Sequence, residues 1–386
     1  MKVFKQTMVI MTIVFMSISS CSQNDPKQRI AKLNEITGII AEGDCFRAEK
    51  KYQEFLSTGY APDSVMEKSL GDCFMGKEEY AKAHEWYLQS AGHGFASAQN
   101  SLGNMYQNGI GVAKDGETAL EWYRKAADQN NMAALFNIGY MYDFGDGVAQ
   151  NYEEAARWYL QAAQMGLKEA QANLGFIYEQ GYGVKQDVPQ AVEWYQKAAE
   201  QGSALAQNQL GCMYYSGNGL TKDKTKAVEL FKTAAGQGYA SSQASLGNYY
   251  FELEDFEEAA KCYRLAADQG NDVAQYYLGL LYENGSGVPQ NINEAARLYL
   301  LSAEQGNVLA QCGIGFLYYQ GLGVEQDFNE AEKWFLLAAQ QGDDQAQCNL
   351  GYVYGTLGRW DEAKKWFTKA ANQGNEDAIN RLKQLR

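Results

Sequence analysis

Two histidines and seven cysteines bound the chemistry open to this 386-residue chain. His84 and His93 stand nine residues apart, straddling the end of a helical segment. That is no metal-ligand spacing, and neither HExxH nor Cys-x-x-Cys occurs. A Ser-Lys nucleophile needs a lysine one helical turn from the serine, and no serine here is followed by lysine at that distance. Thr221-Lys222-Asp223-Lys224 offers threonine instead, in a loop leading to a helix cap. Paired acids such as Glu153-Glu154 and Glu257-Glu258 fall where helices begin, so their charge meets a helix N-terminus rather than a substrate. The residues predict a non-catalytic protein with no metal and no cofactor.

After Cys21 the cysteines are Cys45, Cys73, Cys212, Cys262, Cys312 and Cys348, an even number. Cys312 and Cys348 share one phase of neighbouring units. Packed helices lie about 8–10 Å apart, whereas a disulfide needs Cα atoms within about 7 Å. Small buried thiols are therefore expected. Cys45 with Cys73 is the one pair left open.

A net charge of −14 excludes a phosphate-binding surface for nucleic acid and disfavours anionic membrane surfaces. The N-terminus reads differently from the rest. Lys2 and Lys5 precede an apolar run from Met8 to Met16, too short to span a bilayer, and small residues follow. Ile18-Ser19-Ser20-Cys21 resembles a bacterial lipobox, which implies loss of the signal peptide at 1–20 and a lipid on Cys21. Residues 21–29 then form a lipidated tether, and the lipid is the expected membrane contact. No Asp follows the cysteine, so the expectation is an outer-membrane lipoprotein facing the periplasm or the cell surface.

Those residues ride on a repeat. An apolar-Gly pair recurs at Leu70-Gly71, Leu102-Gly103, Ile138-Gly139, Leu174-Gly175, Leu210-Gly211, Leu246-Gly247, Leu278-Gly279, Ile314-Gly315 and Leu350-Gly351, the glycines 32 or 36 residues apart. Nine units fill 70–386, closed by a capping helix, and a degenerate unit or cap occupies 30–69. In each unit two apolar stripes of helical period follow one another, as in Ala191, Trp194, Tyr195, Ala198 and then Ala206, Leu210, Met213. Gly181 and Gly183 punctuate the connecting loop, and Asp187 stands where it can cap the second helix, with Asp115, Asn151, Asp223, Asn291 and Asp327 as counterparts. The units starting at Gly71, Gly247 and Gly351 lack the Gly-x-Gly-Val segment, a four-residue deletion that keeps both helical faces in phase.

This pattern resembles the Sel-one-like repeat, a relative of the tetratricopeptide repeat. The resemblance implies an all-α, right-handed α/α superhelical solenoid whose first helices line the concave side, and an adaptor that assembles protein complexes. Some cysteine-rich members are associated with β-lactam binding, but the missing Ser-x-x-Lys and histidine ligands argue against a hydrolase. Leu230-Phe231 and Leu298-Tyr299 stand in place of Trp-Tyr and Asn130 in place of the closing glycine, each expected as a tolerable packing change.

On the first helices, positions facing away from the core carry Phe136, Tyr140, Phe176, Tyr215, Tyr276, Phe316, Tyr319 and Tyr352. Exposed aromatics supply contact area at low entropic cost, so this row is the expected site for an unidentified protein partner, basic or neutral in charge. Tyr140, Phe176, Phe316 and Tyr352 share the position after the glycine and lead the set. The expected function is a lipid-anchored extracytoplasmic scaffold, with a surface factor engaging host or environmental proteins as the alternative.

Overall fold

The computed structural model describes residues 25–385, and their regular secondary structure is helical throughout. In chain order the helices are α1 (Pro26–Ala41), α2 (Cys45–Ser57), α3 (Ser64–Gly76), α4 (Tyr80–Gly92), α5 (Ala96–Asn108), α6 (Gly116–Ala127) and α7 (Met132–Phe144). Next come α8 (Tyr152–Gln164), α9 (Lys168–Gln180), α10 (Val188–Glu200), α11 (Ala204–Ser216), α12 (Lys224–Gly236), α13 (Ala240–Glu252) and α14 (Phe256–Ala267). The last are α15 (Asp272–Asn284), α16 (Ile292–Glu304), α17 (Val308–Gln320), α18 (Phe328–Gln340), α19 (Asp344–Thr356), α20 (Trp360–Asn372) and α21 (Glu376–Gln384). Consecutive helices pack on one another as α/α hairpins, and the chain forms two compact units, one ending at Trp194 and the other beginning at Tyr195. Cys21 and residues 1–20 lie outside the described residues.

The caps fall where the sequence places them. Asp115 accepts from the Thr118 N–H, Asn151 from those of Glu153 and Glu154, Asp223 from Lys226, Asn291 from Glu294 and Asp327 from Glu330. Each such cap contributes about 1 kcal/mol to its helix. Gly181 ends α9 in the left-handed region at φ 74°, and a Cβ on Gly183 would lie 2.3 Å from the Glu153 nitrogen, so this loop rests on the start of α8 in the preceding repeat. In a 32-residue unit the shorter link Leu253-Glu254-Asp255 still caps α14, through the Glu258 N–H. Asn130 takes φ 59°, so the amide residue adopts the left-handed turn that glycine makes elsewhere.

The apolar-Gly pair has a packing reason. A Cβ on Gly103 would meet the Tyr123 ring at 2.4 Å, and Gly139, Gly211, Gly279 and Gly351 stand in the same relation to Tyr159, Phe231, Tyr299 and Phe367. The second helix therefore lays a ring flat on the first, and the core of each unit is built from these rings with Leu102, Ile138, Leu278, Leu350 and the small alanines around them. Such close approach leaves no room for a side chain at the glycine.

A ladder of glutamines joins one repeat to the next. Gln311 is 3% exposed, donates from Nε2 to the Ala303 carbonyl at the end of α16, and accepts at Oε1 from Gln341 Nε2 after α18. Gln275 does the same between Ala267 and Gln305, and Gln99 between Ala91 and Gln129. These bonds add a second donor to last-turn carbonyls that already accept from the N–H of the closing glycine.

The cysteines depart from expectation. Cys45 and Cys73 form a disulfide with Cα atoms 5.7 Å apart, tying the start of α2 to α3. Those two residues sit on crossing helices rather than at one phase of successive repeats, so the spacing argument does not apply to them. Cys262, Cys312 and Cys348 remain thiols, but Cys348 alone among these three is fully buried, and Cys212 is exposed.

Candidate functional site: an aromatic row on the first helices

Where the buried ring of a second helix is a tyrosine, its hydroxyl reaches the neighbouring first helix, and this bears on what the position after the glycine can do. Tyr87 donates to Asp72, Tyr123 to Asn104 and Gln107, and Tyr263 to Asn248. Asp72, Asn104 and Asn248 are the residues that follow the glycine. In two units the hydroxyl goes one turn further: Tyr299 donates to Glu283, past Leu280, and Tyr159 donates to Asp143 Oδ2 at 3.2 Å, leaving Tyr140 outside the network. Burial pushes the Tyr159 hydroxyl far above its ordinary range, and the Asp143 charge adds to the effect.

Four of the sequence-predicted residues present their rings to solvent. Tyr140 is 38% and Phe176 41% exposed in the first unit, and Phe316 43% and Tyr352 36% in the second. The other four are half-buried and belong to helix packing. Phe136 lies against Tyr159, Tyr276 against Tyr299, and Tyr215 against Phe231 with Lys224 Nζ 4.6 Å from its ring centroid. Tyr319 lies edge-on to Phe328 and pairs its hydroxyl with Thr356 Oγ1 at 3.0 Å. The row therefore divides into exposed rings and the packed rings beside them.

Two further rings extend the first unit's patch. Phe144 is 62% exposed and 4.5 Å from Tyr140, centroid to centroid, and Tyr182 is 40% exposed, 5.9 Å from Phe176. Tyr182 is the middle residue of its Gly-x-Gly loop, where other units carry Asp146 or Asn218, and that exchange is the sequence signal for it. In the second unit Tyr319, Tyr352, Trp360 and Arg381 surround a recess of about 270 Å³.

Both histidines have side-chain partners, His84 half-buried and His93 exposed. His93 Nδ1 lies 2.7 Å from Oε2 of the buried Glu67, whose other oxygen accepts from the Tyr52 hydroxyl, and His84 pairs with the Tyr106 hydroxyl. Among the described residues no group of three or more His, Cys, Asp or Glu is placed to hold a metal ion, and no helix is long and apolar enough to cross a membrane.

Comparison with known proteins places the chain. The Sel1 repeat family model matches residues 69–95, 96–131, 133–167, 168–203, 204–239, 272–307 and 308–343, and a tetratricopeptide repeat model matches 240–268 and 344–372. The two tetratricopeptide matches fall on units that lack the Gly-x-Gly loop. A solved structure of c5321, a protective antigen of uropathogenic Escherichia coli strains displaying an SLR fold, is 34% identical, with a TM-score of 0.67, covering 85% of this chain and 72% of the antigen. A Sel1 repeat protein from Oxalobacter formigenes is 31% identical, with a TM-score of 0.54, covering 78% of this chain and 90% of its own. No curated protein matches. Seven repeat matches covering more than half of the sequence, set on a helical hairpin geometry that those matches require, show that the chain belongs to the Sel1 repeat family.

Proposed function

We propose that this protein is a lipid-anchored scaffold working outside the cytoplasm, which holds protein partners through the exposed aromatic residues of its first helices. Repeat proteins of this kind are non-catalytic and bind protein partners. The observation that carries the site is the exposure of Tyr140 and Phe176 at one phase of successive repeats, outside the hydroxyl network that occupies this phase elsewhere. The net charge of −14 favours a partner segment that is basic or neutral.

Two features support the location. The lipobox-like Ile18-Ser19-Ser20-Cys21 supplies the anchor, and the Cys45–Cys73 disulfide suits an oxidising compartment. A second reading, surface display and engagement of host or environmental proteins, is favoured by the relative from uropathogenic Escherichia coli being a protective antigen. The test is affinity capture of the detergent-solubilised protein, comparing the native chain with Tyr140→Ala/Phe176→Ala, together with fatty-acid labelling of Cys21→Ser. Partners retained by the double variant would refute the aromatic site, labelling that survives Cys21→Ser would refute the anchor, and protease shaving of intact cells separates the two orientations.

A further inference from the structure

In the second unit the face formed by the second helices contains a groove that an indole closes at the equivalent place of a later repeat. Trp334 on α18 is 5% exposed and packs with Ala303 on α16 and Ile314 on α17, so its indole fills the space between two successive second helices above the first helix that separates them. One hundred and four residues earlier the equivalents are Leu230 on α12, Ala199 on α10 and Leu210 on α11. There the indole is missing. Ala199 is half-buried where Ala303 is 2% exposed, and Ala199, Leu210, Tyr214 and Leu230 line an open groove of about 500 Å³.

Leucine alone does not open it. Leu298, at the same phase on α16, is 3% exposed, and at that site Arg264 reaches across to the Tyr282 hydroxyl at 3.0 Å while Arg297 pairs with Glu294. Gln196 stands in place of Arg264, and Thr233 in place of Leu301. The groove at Leu230 thus lacks both the indole that closes the site at Trp334 and the bridging guanidinium found at the site of Leu298.

We infer that this groove takes a tryptophan side chain presented by a partner polypeptide, which completes in trans the packing that Trp334 completes within the chain. The floor is apolar, and Glu200 and Glu229 on the rim supply acceptors for an indole N–H, as Glu154 does for Trp158 at 3.2 Å. Buried tryptophans in closely fitting pockets dominate binding energy at protein interfaces. This face is distinct from the first-helix aromatics, so the inference does not depend on the aromatic row.

The test is ligand-observed fluorine NMR of the full chain with N-acetyl-5-fluorotryptophanamide as probe. The probe line is expected to broaden with the native chain and with Leu230→Ala. Leu230→Trp, which supplies the missing indole, should weaken binding by about tenfold or more and raise the melting temperature. Tyr140→Ala/Phe176→Ala should leave probe binding unchanged, which separates this result from the aromatic-row reading. An unbroadened line with the native chain, or equal broadening with Leu230→Trp, overturns the inference. Tighter binding of free 5-fluorotryptophan than of the blocked amide also overturns it, because the occupant would then be the free amino acid.

Discussion

Gly103 lies beneath the ring of Tyr123 so closely that a methyl group there would sit 2.4 Å from Tyr123 Cδ1. Gly103→Ala should force the ring or the helix pair apart and cost about 1–3 kcal/mol, the range for overpacking a filled core. Chemical denaturation measures this directly. A midpoint unchanged from native would show that α5 and α6 can separate without penalty.

The exposed and buried residues of the first helices should respond oppositely. Tyr140→Ala/Phe176→Ala should leave the melting temperature within a few degrees of native, since surface substitutions typically change stability by about 0.5 kcal/mol or less. Leu174→Ala, at a position 1% exposed, should cost about 2–5 kcal/mol. Equal losses would place Tyr140 and Phe176 in the core.

The Cys45–Cys73 bridge closes a segment of 28 residues, for which chain entropy gives a stabilisation of about 3–4 kcal/mol. Unfolding with and without reductant should differ by this order in the native chain. Cys45→Ser/Cys73→Ser should show no such difference. Hydrogen exchange should place the loss in α1 to α3, and a loss spread evenly along the chain would contradict that.

Alkali should act through the buried tyrosines. Burial raises the hydroxyls of Tyr123, Tyr159, Tyr263 and Tyr299 above the ordinary value of 10.0, with nearby charges or polar groups adding to it. The folded state holds these protons more tightly than the unfolded chain. Stability is therefore complete below about pH 10 and lost as pH rises beyond it. Tyrosinate absorbance and helical circular dichroism should change together. Ionisation of all tyrosines with the helices intact would contradict the burial.

Gln311→Leu tests the ladder. The change keeps the volume but removes one of two donors to the Ala303 carbonyl and one of two bonds of the Gln341 amide, at about 0.5–1.5 kcal/mol for each hydrogen bond lost. Gln320, an exposed glutamine, should tolerate the same substitution within about 0.5 kcal/mol. Indistinguishable melting curves would mean that water replaces the rung.

Much of the fold was legible because its signals are local. Asp115, Asn151 and Asp327 stand at one phase, and a cap needs only the three residues after it. The reason for Gly103 was not legible, since the ring that excludes a side chain comes from Tyr123 on another helix. The role of Gln99, Gln275 and Gln311 was not legible either, since each is buried between two helix ends that only the hairpin packing brings together. The aromatic row was half legible: the helical phase places Tyr140 and Phe176 outward, but whether Phe136 or Tyr276 is covered depends on Tyr159 and Tyr299 across the hairpin. Leu230 read as a tolerable packing change, and the groove beside it depends on Gln196 and Thr233 as well.

The glutamine ladder also governs how such a chain can change length. Every rung asks for one glutamine on a first helix and another just past a second helix, as at Gln275 and Gln305 or Gln311 and Gln341. A repeat bounded by such rungs can thus be excised or duplicated, and the faces brought together will offer the same donors and acceptors as those they replace, whereas the unit that carries Leu135 and Met165 at these two positions has no such rung. Reach becomes adjustable in steps of 32 or 36 residues, and no junction has to be invented for the new size.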